Sequence, residues 1–343
     1  MRTINIDNLE RDLGVSDLTP LPRDVSPRQY FRGQKDGQGV IVMVYPDADE
    51  ESRKELMHFI QIGGALSAHN IKTPQALDVR EAQCSAVLED LGTVSFGRAL
   101  HERIIDQQTL YTLATDVLIR MRDVSGIQDL PFYEDSRIYA NRRQMIDYYM
   151  TLKRGAQARE ETVQSFLSVW DEIEKSLPPC PQGFVHGDYH LENLMYITRE
   201  EGVNRCALID YQDALTGPMP YDLVNLIEDA RIDIPQEIHQ AMLTRYCAGM
   251  SDEDRAAFLT WFRVLAMQFH GRVIGLFIKL AAEQGRDSYL IHIPRLQNYI
   301  KKSLADPVLA PLKQWFEKEG LDFEPLNDLD GEHIRTVFQD TSF

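Results

Sequence analysis

The amino-acid sequence predicts an α+β fold with two lobes, a small antiparallel β-rich N-terminal lobe and a larger, mostly helical C-terminal lobe. Short strand-like runs separated by turn signals occupy the first hundred residues. From Val94 onward, apolar residues recur mostly at helical spacing. Between the two patterns, "LEDLG" (88–92) has the character of a hinge. We therefore predict lobes at 1–92 and 93–343, which suits a chain of 343 residues.

The N-terminal lobe is predicted to contain strands around one inserted helix. Residues 3–13 form a short amphipathic pattern. The runs "YFRGQ" and "GVIVMVYP" flank the turn signal "KDGQG", which predicts an antiparallel hairpin. Residues 51–70 carry apolar side chains at helical spacing, and residues 74–92 are predicted to form two further strands.

The C-terminal lobe is predicted to be helical to about Leu304, with an irregular or short-helical tail. Periodic helical segments stand at 109–124, 141–152, 162–177 and from 220 onward. "PPCPQG" breaks the pattern, and short strands on either side of residue 200 carry the polar motifs. The run "VIGLFIKLAA" contains a lysine and is shorter than the roughly 20 apolar residues of a membrane span, so we predict a buried helix.

Composition restricts the possible partners. The formal net charge of −17 repels DNA, RNA and anionic membrane surfaces, although a local cationic pocket could still bind an anionic substrate. The four cysteines are scattered without zinc spacing, which is typical of reduced thiols. The first residues contain no apolar signal-peptide core. We therefore expect a cytoplasmic protein that binds neither nucleic acid nor membrane; composition does not predict its oligomeric state.

Two polar motifs interrupt the apolar pattern. "FVHGDYHLENLMYI" places Asp188 and Asn193 five positions apart, and "LIDYQD" places Asp210 at the end of an apolar strand. If the two strands pair as a hairpin, these three residues meet at one end. Carboxylate and amide oxygens are hard donors that suit Mg²⁺. A carboxylate not needed for the metal could accept a hydroxyl proton, so the set predicts a phosphoryl-transfer site.

Two other interpretations of these motifs remain open at this point. A polar turn beside a core hairpin would also account for them. A zinc site built from His186, His190 and Glu192 is a poorer alternative, because the residues lack helical context and a further ligand at recognised spacing.

The paired motifs resemble the catalytic segment of the aminoglycoside phosphotransferase and choline kinase superfamily, which has a bilobal protein-kinase-like fold. The shared pattern is His186-Gly187-Asp188 with Asn193, followed by Ile209-Asp210 and Asp213. The resemblance implies ATP and Mg²⁺ as cofactors. It also implies that Asp188 is the catalytic base, that Asn193 and Asp210 hold the metal, and that His186 supports the loop.

A narrower resemblance concerns the acceptor. "SPRQYFR", "LEDLG", "GPMPYDLVNLIEDAR" and "GRVIGLF" with "YLIHIPR" are similar to bacterial anomeric sugar kinases, over about residues 20 to 305. Those enzymes phosphorylate N-acetylmuramate and N-acetylglucosamine in cell-wall recycling, which implies a small-molecule hydroxyl acceptor. The alternatives are an aminoglycoside, choline, ethanolamine or homoserine-like alcohol, or a nucleotide-binding pseudokinase.

The sequence departs from the kinase pattern at the strand that normally carries a phosphate-binding lysine. Met43 or Val44 stands at the matching position. Arg28 and Arg32 are the candidate replacements, because a guanidinium can hold phosphate bidentately. Glu55 on the following helix could orient one of them. The further predicted nucleotide contacts are Ser26, Glu89 and Leu91.

The remaining predictions concern acceptor binding and support. Asp222 stands near the start of a helix, where a carboxylate favours the dipole, and is predicted to tie that helix to the catalytic loop. N-acetylmuramate carries a lactyl carboxylate, which a basic residue could recognise. For each acceptor candidate the alternative is ordinary surface polarity. The acceptor candidates are His190, Asp213, Asp229 and Arg231.

Overall fold

A computed structural model describes residues 4–22, 28–326 and 329–340. Its backbone contacts group the chain into two compact units. The first unit is Met1–Leu130 with Asp188–Ala214, and the second is Pro131–Gly187 with Leu215–Phe343. The predicted division into lobes at 1–92 and 93–343 stays a prediction.

The described residues form elements that we number in chain order. The strands are β1 Ser16–Pro20, β2 Gln29–Lys35, β3 Gln38–Val44, β4 Ala76–Arg80, β5 Ser85–Glu89, β6 Gln182–Val185, β7 Leu194–Tyr196, β8 Cys206–Leu208 and β9 Leu215–Pro218. The helices are α1 Ile6–Leu13, α2 Glu50–Ala68, α3 Phe96–His101, α4 Gln107–Met121, α5 Arg137–Ala140, α6 Thr151–Arg154, α7 Glu160–Ser176, α8 Pro220–Ile227, α9 Gln236–Tyr246, α10 Asp252–Gln284, α11 Ile293–Ser303, α12 Ala310–Glu319 and α13 Gly331–Asp340.

The first unit contains a five-stranded antiparallel sheet in the order β1-β2-β3-β5-β4. The predicted hairpin is confirmed, since Lys35 pairs with Gln38 across a two-residue turn in which Asp36 and Gly37 have φ of 52° and 75°. β1 was not predicted, because its sequence SDLTP buries only Leu18 and shows no apolar alternation.

The core of the first unit explains why these segments fold as predicted. Alternate side chains of β2 and β3, including Phe31 and Val42, pack with residues from α1 and β1. Asp49 caps the N-terminus of α2, and its carboxylate accepts a hydrogen bond from the Ser52 N–H at 2.8 Å. It buries the apolar positions that define its periodicity, such as Leu56 and Phe59.

The second unit is built around the 33-residue helix α10. That helix is long and apolar enough to cross a membrane by length and composition, but 83% of its most apolar window is buried inside the protein. The prediction of a buried helix there is confirmed. Residues 141–152 differ from prediction: Met145–Met150 is a π-helix rather than an α-helix. Gly275 of α10 approaches this segment so closely that an added Cβ would overlap the Gln144 carbonyl.

Candidate active site

The pairing of β7 with β8 brings the two polar motifs together. The strands are antiparallel, with Leu194 opposite Leu208, as the sequence predicted. The Ile209 N–H donates to the Asn193 carbonyl at 3.1 Å and extends the ladder by one step. Asn193, directly before β7, and Asp210, shortly after β8, therefore flank the same end of this hairpin.

Asp188 is held against Asn193 at that end. The Asn193 Nδ2 group donates to the Asp188 carbonyl at 2.9 Å and to its Oδ2 at 3.0 Å. Because the amide nitrogen faces Asp188, the amide oxygen is the Asn193 atom that a cation would meet. The Asp188 side chain is 56% exposed, so a substrate can reach it.

The loop between Asp188 and Asn193 is fixed by buried neighbours. Tyr189 and Leu191 are buried, and the Tyr189 hydroxyl donates to the Ala114 carbonyl at 2.9 Å. Between them, His190 projects its Nε2 to 3.3 Å from Asp188 Oδ2. The structure therefore places His190, predicted as a substrate contact, beside Asp188.

Asp210 adopts an uncommon backbone conformation, with φ of 61°. A non-glycine residue in this region persists only where its surroundings hold it, and such residues cluster at functional sites. The next residue supplies that restraint: Tyr211 is buried and stacks on Phe59 of α2 with ring centroids 4.7 Å apart. The Gln212 Nε2 group links Asp210 Oδ1 (3.0 Å) to the exposed Asp213 Oδ2 (2.9 Å).

Arg28 lies beside Asp210. Its Nη2 is 3.4 Å from Asp210 Oδ1, and its side chain is only 8% exposed. Burial alone would lower the pKa of Arg28, but the Tyr30 and Tyr45 phenols and the Asp210 and Asp213 carboxylates raise it above its ordinary value. The site therefore holds a permanent buried cation next to a carboxylate. Ser26, predicted in the same loop, lies outside the described residues.

The Tyr45 phenol is electrostatically coupled to Arg28 and to Glu55, the residue predicted to orient an arginine. Burial, the largest cause, and the negative charge of Glu55 raise the pKa of Tyr45 well above its usual range. Tyr45 therefore stays a neutral phenol, and the orienting role of Glu55 stays a prediction.

Arg32, the other candidate for the missing lysine, lies at the hinge. Its Nε and Nη2 contact the Asp90 carboxylate at 2.8 and 3.1 Å, and Nη2 also donates to the Gly92 carbonyl at 2.8 Å. Asp90 in turn accepts from the Gly92 N–H at 2.8 Å. The guanidinium therefore bridges Asp90 and Gly92 within the predicted hinge segment.

The other hinge residues offer an apolar surface rather than charge. The Glu89 carboxylate is neutralised by Lys72 at 2.9 Å and Arg199 at 2.9 Å. Leu91 is buried with Ile197 and Ala207 in a small apolar cluster. Met195 and Ile209 pack against that cluster and stay partly buried, so the hairpin and the hinge share an apolar face.

In the second unit, Asp222 and the HGD segment form a buried contact. The Asp222 carboxylate, 2% exposed in the first turn of α8, accepts hydrogen bonds from the N–H groups of His186 (2.6 Å) and Gly187 (3.0 Å). His186 is fully buried, and Gly187 has φ of 86°, which favours glycine. The residues immediately before Asp188 are thereby tied to α8.

Asp229 and Arg231 also belong to the second unit. α8 ends at Ile227, so both residues lie beyond the helix that the sequence pattern extended to residue 231. Asp229 is buried and accepts from the Arg231 N–H at 2.7 Å, while Arg231 Nη1 is 3.8 Å from Asp229 Oδ1. Their role in acceptor binding stays a prediction.

Sequence reasoning missed the contacts that several groups make around the site. The Glu192 carboxylate accepts a hydrogen bond from the Ser95 hydroxyl at 2.7 Å, and an added Cβ on Gly97 would overlap that carboxylate. Asp90 and Tyr45 were likewise missed. Their partners are distant in sequence, and no local pattern singles these residues out.

The donor set fits Mg²⁺ better than zinc. Within residues 4–22, 28–326 and 329–340, no group of three or more His, Cys, Asp or Glu side chains is arranged to hold a metal ion, which leaves the zinc alternative without support. Asp210 and the amide oxygen of Asn193 are two hard donors at one hairpin end. Mg²⁺ commonly takes few protein ligands and completes its shell with phosphates and water.

Comparisons with known proteins agree with this geometry. The family model described as "Phosphotransferase enzyme family" matches residues 17–259. The N-acetylmuramate/N-acetylglucosamine kinase of Pseudomonas aeruginosa is 31% identical over 309 residues, covering 87% of each chain. The kinase of the same name from Caulobacter vibrioides is 28% identical, covering 86% of this chain and 90% of the relative.

Solved structures show the same fold at lower identity. A thermostable mutant of an aminoglycoside phosphotransferase aligns with a TM-score of 0.55 and 16% identity, covering 88% of this chain and 99% of that chain. A choline/ethanolamine kinase family protein from Mesorhizobium loti aligns with a TM-score of 0.54 and 14% identity, covering 94% of this chain and 93% of that chain. The predicted protein-kinase-like α+β fold is thus confirmed. The chain belongs to the phosphotransferase enzyme family.

Proposed function

We propose that the protein is an ATP- and Mg²⁺-dependent cytoplasmic kinase that phosphorylates the anomeric hydroxyl of N-acetylmuramate and N-acetylglucosamine. The observation that carries the reaction type is the hairpin end, where Asp188, Asn193 and Asp210 come together. The acceptor class follows from the two relatives named for these sugars, each of which matches more than four fifths of this chain.

Each residue at the hairpin end has a separate role in this proposal. Asp188 accepts the proton of the acceptor hydroxyl as that oxygen attacks the terminal phosphate. Asn193 Oδ1 and the Asp210 carboxylate would hold Mg²⁺, which would supply charge neutralisation to the phosphates. The bond from Asn193 Nδ2 to Asp188 couples the base to the metal-holding residue and fixes its position.

The nucleotide is proposed to lie along the hinge and the hairpin of the first unit. The adenine ring of the nucleotide packs on the apolar face formed by Leu91 with Met195 and Ile209. Arg28 contacts the phosphates in place of the missing strand lysine. Its support is its position beside Asp210, the proposed metal ligand, whereas Arg32 is committed to Asp90 and Gly92.

Substitution of Arg28 tests the replacement of the lysine. We expect Arg28→Ala to weaken ATP binding about tenfold to hundredfold, the value of one hydrogen bond to a charged group. Arg28→Lys should recover part of the affinity, because it restores the charge without the guanidinium fork. Calorimetric titration with a non-hydrolysable ATP analogue measures both.

Arg32→Ala is the matched control, since it removes the same side chain a few residues away. It should lower the melting temperature by removing the bridge between Asp90 and Gly92 and change nucleotide affinity less than Arg28→Ala does. Equal losses of affinity in the two alanine variants would contradict the assignment of Arg28.

The acceptor is tested by ADP release over a panel. We expect turnover with N-acetylmuramate and N-acetylglucosamine, and none with choline or kanamycin. The methyl glycoside of N-acetylglucosamine is the sharpest control, because it differs only by blocking the anomeric hydroxyl. Turnover of that glycoside would contradict anomeric phosphorylation, and turnover of choline or kanamycin alone would contradict the amino-sugar assignment. ATP binding without ADP release for any acceptor would indicate a pseudokinase.

A further inference from the structure

The imidazole of His190 is fixed at both ring nitrogens. Its Nε2 lies 3.3 Å from Asp188 Oδ2, and its Nδ1 accepts a hydrogen bond from the Glu192 N–H at 3.3 Å. The side chain is 11% exposed. A ring held in this way between a backbone donor and the proposed base Asp188 is restricted to one tautomer.

The tautomer of His190 follows from the hydrogen-bond donors around the ring. A neutral imidazole carries one proton. The Glu192 N–H can only donate, so Nδ1 must be the acceptor and Nε2 must carry the proton that faces Asp188 Oδ2. In the other tautomer, the Nδ1–H would face the Glu192 N–H, and the Nε2 lone pair would face the Asp188 carboxylate. Both contacts would be repulsive. Asn193 Nδ2 lies 3.3 Å from Nε2, and in this tautomer both groups point N–H bonds at Asp188 Oδ2 rather than bonding to each other.

The donor that selects this tautomer is anchored outside the loop. Glu192 accepts the Ser95 hydroxyl at 2.7 Å, and Ser95 in turn caps α3 by accepting from the Arg98 N–H at 3.0 Å. Gly97 leaves space for the Glu192 carboxylate, which an added Cβ would overlap. The position of the Glu192 backbone is therefore set by α3, and the orientation of His190 follows from it.

We propose that His190 is a positioning residue for Asp188, with its Nε2–H and Asn193 Nδ2 jointly holding Oδ2. A carboxylate otherwise turns easily about its terminal bond. Two donors on one oxygen fix its plane and so aim the carboxylate at the acceptor hydroxyl. The proposal rests on the proposed role of Asp188 as the base, but it does not depend on which hydroxyl is the acceptor.

Kinetics of His190 variants test the positioning role. We expect His190→Ala to lower kcat about tenfold to hundredfold while the KM values for ATP and acceptor change less than about threefold, because the loss is one of orientation. His190→Gln should recover most of kcat, since its amide offers both an acceptor and a donor. His69→Ala is the control: that half-buried histidine bonds to the Ala65 carbonyl at 2.9 Å and should leave kcat unchanged.

Three kinetic outcomes would overturn the proposal. An increase in acceptor KM at constant kcat would make His190 a substrate contact. If kcat fell only in proportion to the fraction of folded protein, measured by circular dichroism, the role of His190 would be structural rather than positioning. Equal losses in the Ala and Gln variants would show that its two hydrogen bonds are not what matters.

A spectroscopic test needs no acceptor and separates this proposal from the proposed function. Long-range ¹H–¹⁵N spectra of histidine-labelled protein show which ring nitrogen is protonated, and we expect the Nε2–H form for His190. The Nδ1–H form would overturn the proposal. Gly97→Ala should shift the His190 signals, because it displaces Glu192. If no acceptor in the panel is turned over, the proposed function is contradicted. The spectra test the tautomer of His190 independently of that result.

Discussion

Asp188→Asn is expected to reduce kcat about 100-fold to 10,000-fold, the usual contribution of a general base. An asparagine is nearly the same size, and its amide oxygen can still accept from Asn193 Nδ2, so the loop should keep its shape. Nucleotide affinity should stay close to that of the wild type, because Asn193 and Asp210, not Asp188, are the proposed metal holders. ADP release and calorimetric titration of the same preparation measure the two quantities.

The control for this variant is Asp78→Asn, which removes a carboxylate from the same unit on β4. Asp78 pairs with Lys35 and Arg80, so its loss should change only local surface pairing. A kcat for Asp188→Asn within about tenfold of the wild type would place the base elsewhere. A parallel loss of nucleotide affinity would mean instead that Asp188 takes part in holding the metal.

The core of this site could be predicted because its signals are local. Asp188 and Asn193 stand five positions apart, and the apolar run before Asp210 predicts the strand that pairs with the first motif. The same applies to the β2–β3 hairpin, where a turn sequence and flanking apolar runs lie within twenty residues. In each case the paired segments are close in sequence, so spacing and periodicity indicate which strands pair.

The surroundings of the site could not be predicted in the same way, because they depend on contacts between distant segments. Arg28 and Asp210 are 182 positions apart, and nothing near Arg28 distinguishes it from Arg32. The left-handed backbone of Asp210 becomes intelligible only once Tyr211 is seen stacked on Phe59. Glu192 is an exposed loop residue, and its contacts with Ser95 and Gly97 join segments that are distant in sequence. Such pairings carry no periodic signal.

Asp222→Ala is expected to cause the largest loss of stability. The substitution leaves the buried N–H groups of His186 and Gly187 without their carboxylate acceptor, and each such loss costs about 1–3 kcal/mol. Two losses remove a large share of a net stability of about 5–15 kcal/mol. Urea unfolding followed by circular dichroism measures the change in the free energy of unfolding.

Two comparison variants separate the hydrogen bonds from the helix dipole. Asp222→Asn keeps one oxygen as an acceptor and should cost less than Asp222→Ala. Asp252→Ala removes an exposed carboxylate from the first turn of α10, where only the dipole contribution of about 0.3–1 kcal/mol is at stake. If Asp222→Ala cost no more than Asp252→Ala, the carboxylate would merely favour the α8 dipole. A much greater cost would mean that the Asp222 carboxylate stabilises the second unit mainly through its hydrogen bonds to the His186 and Gly187 N–H groups.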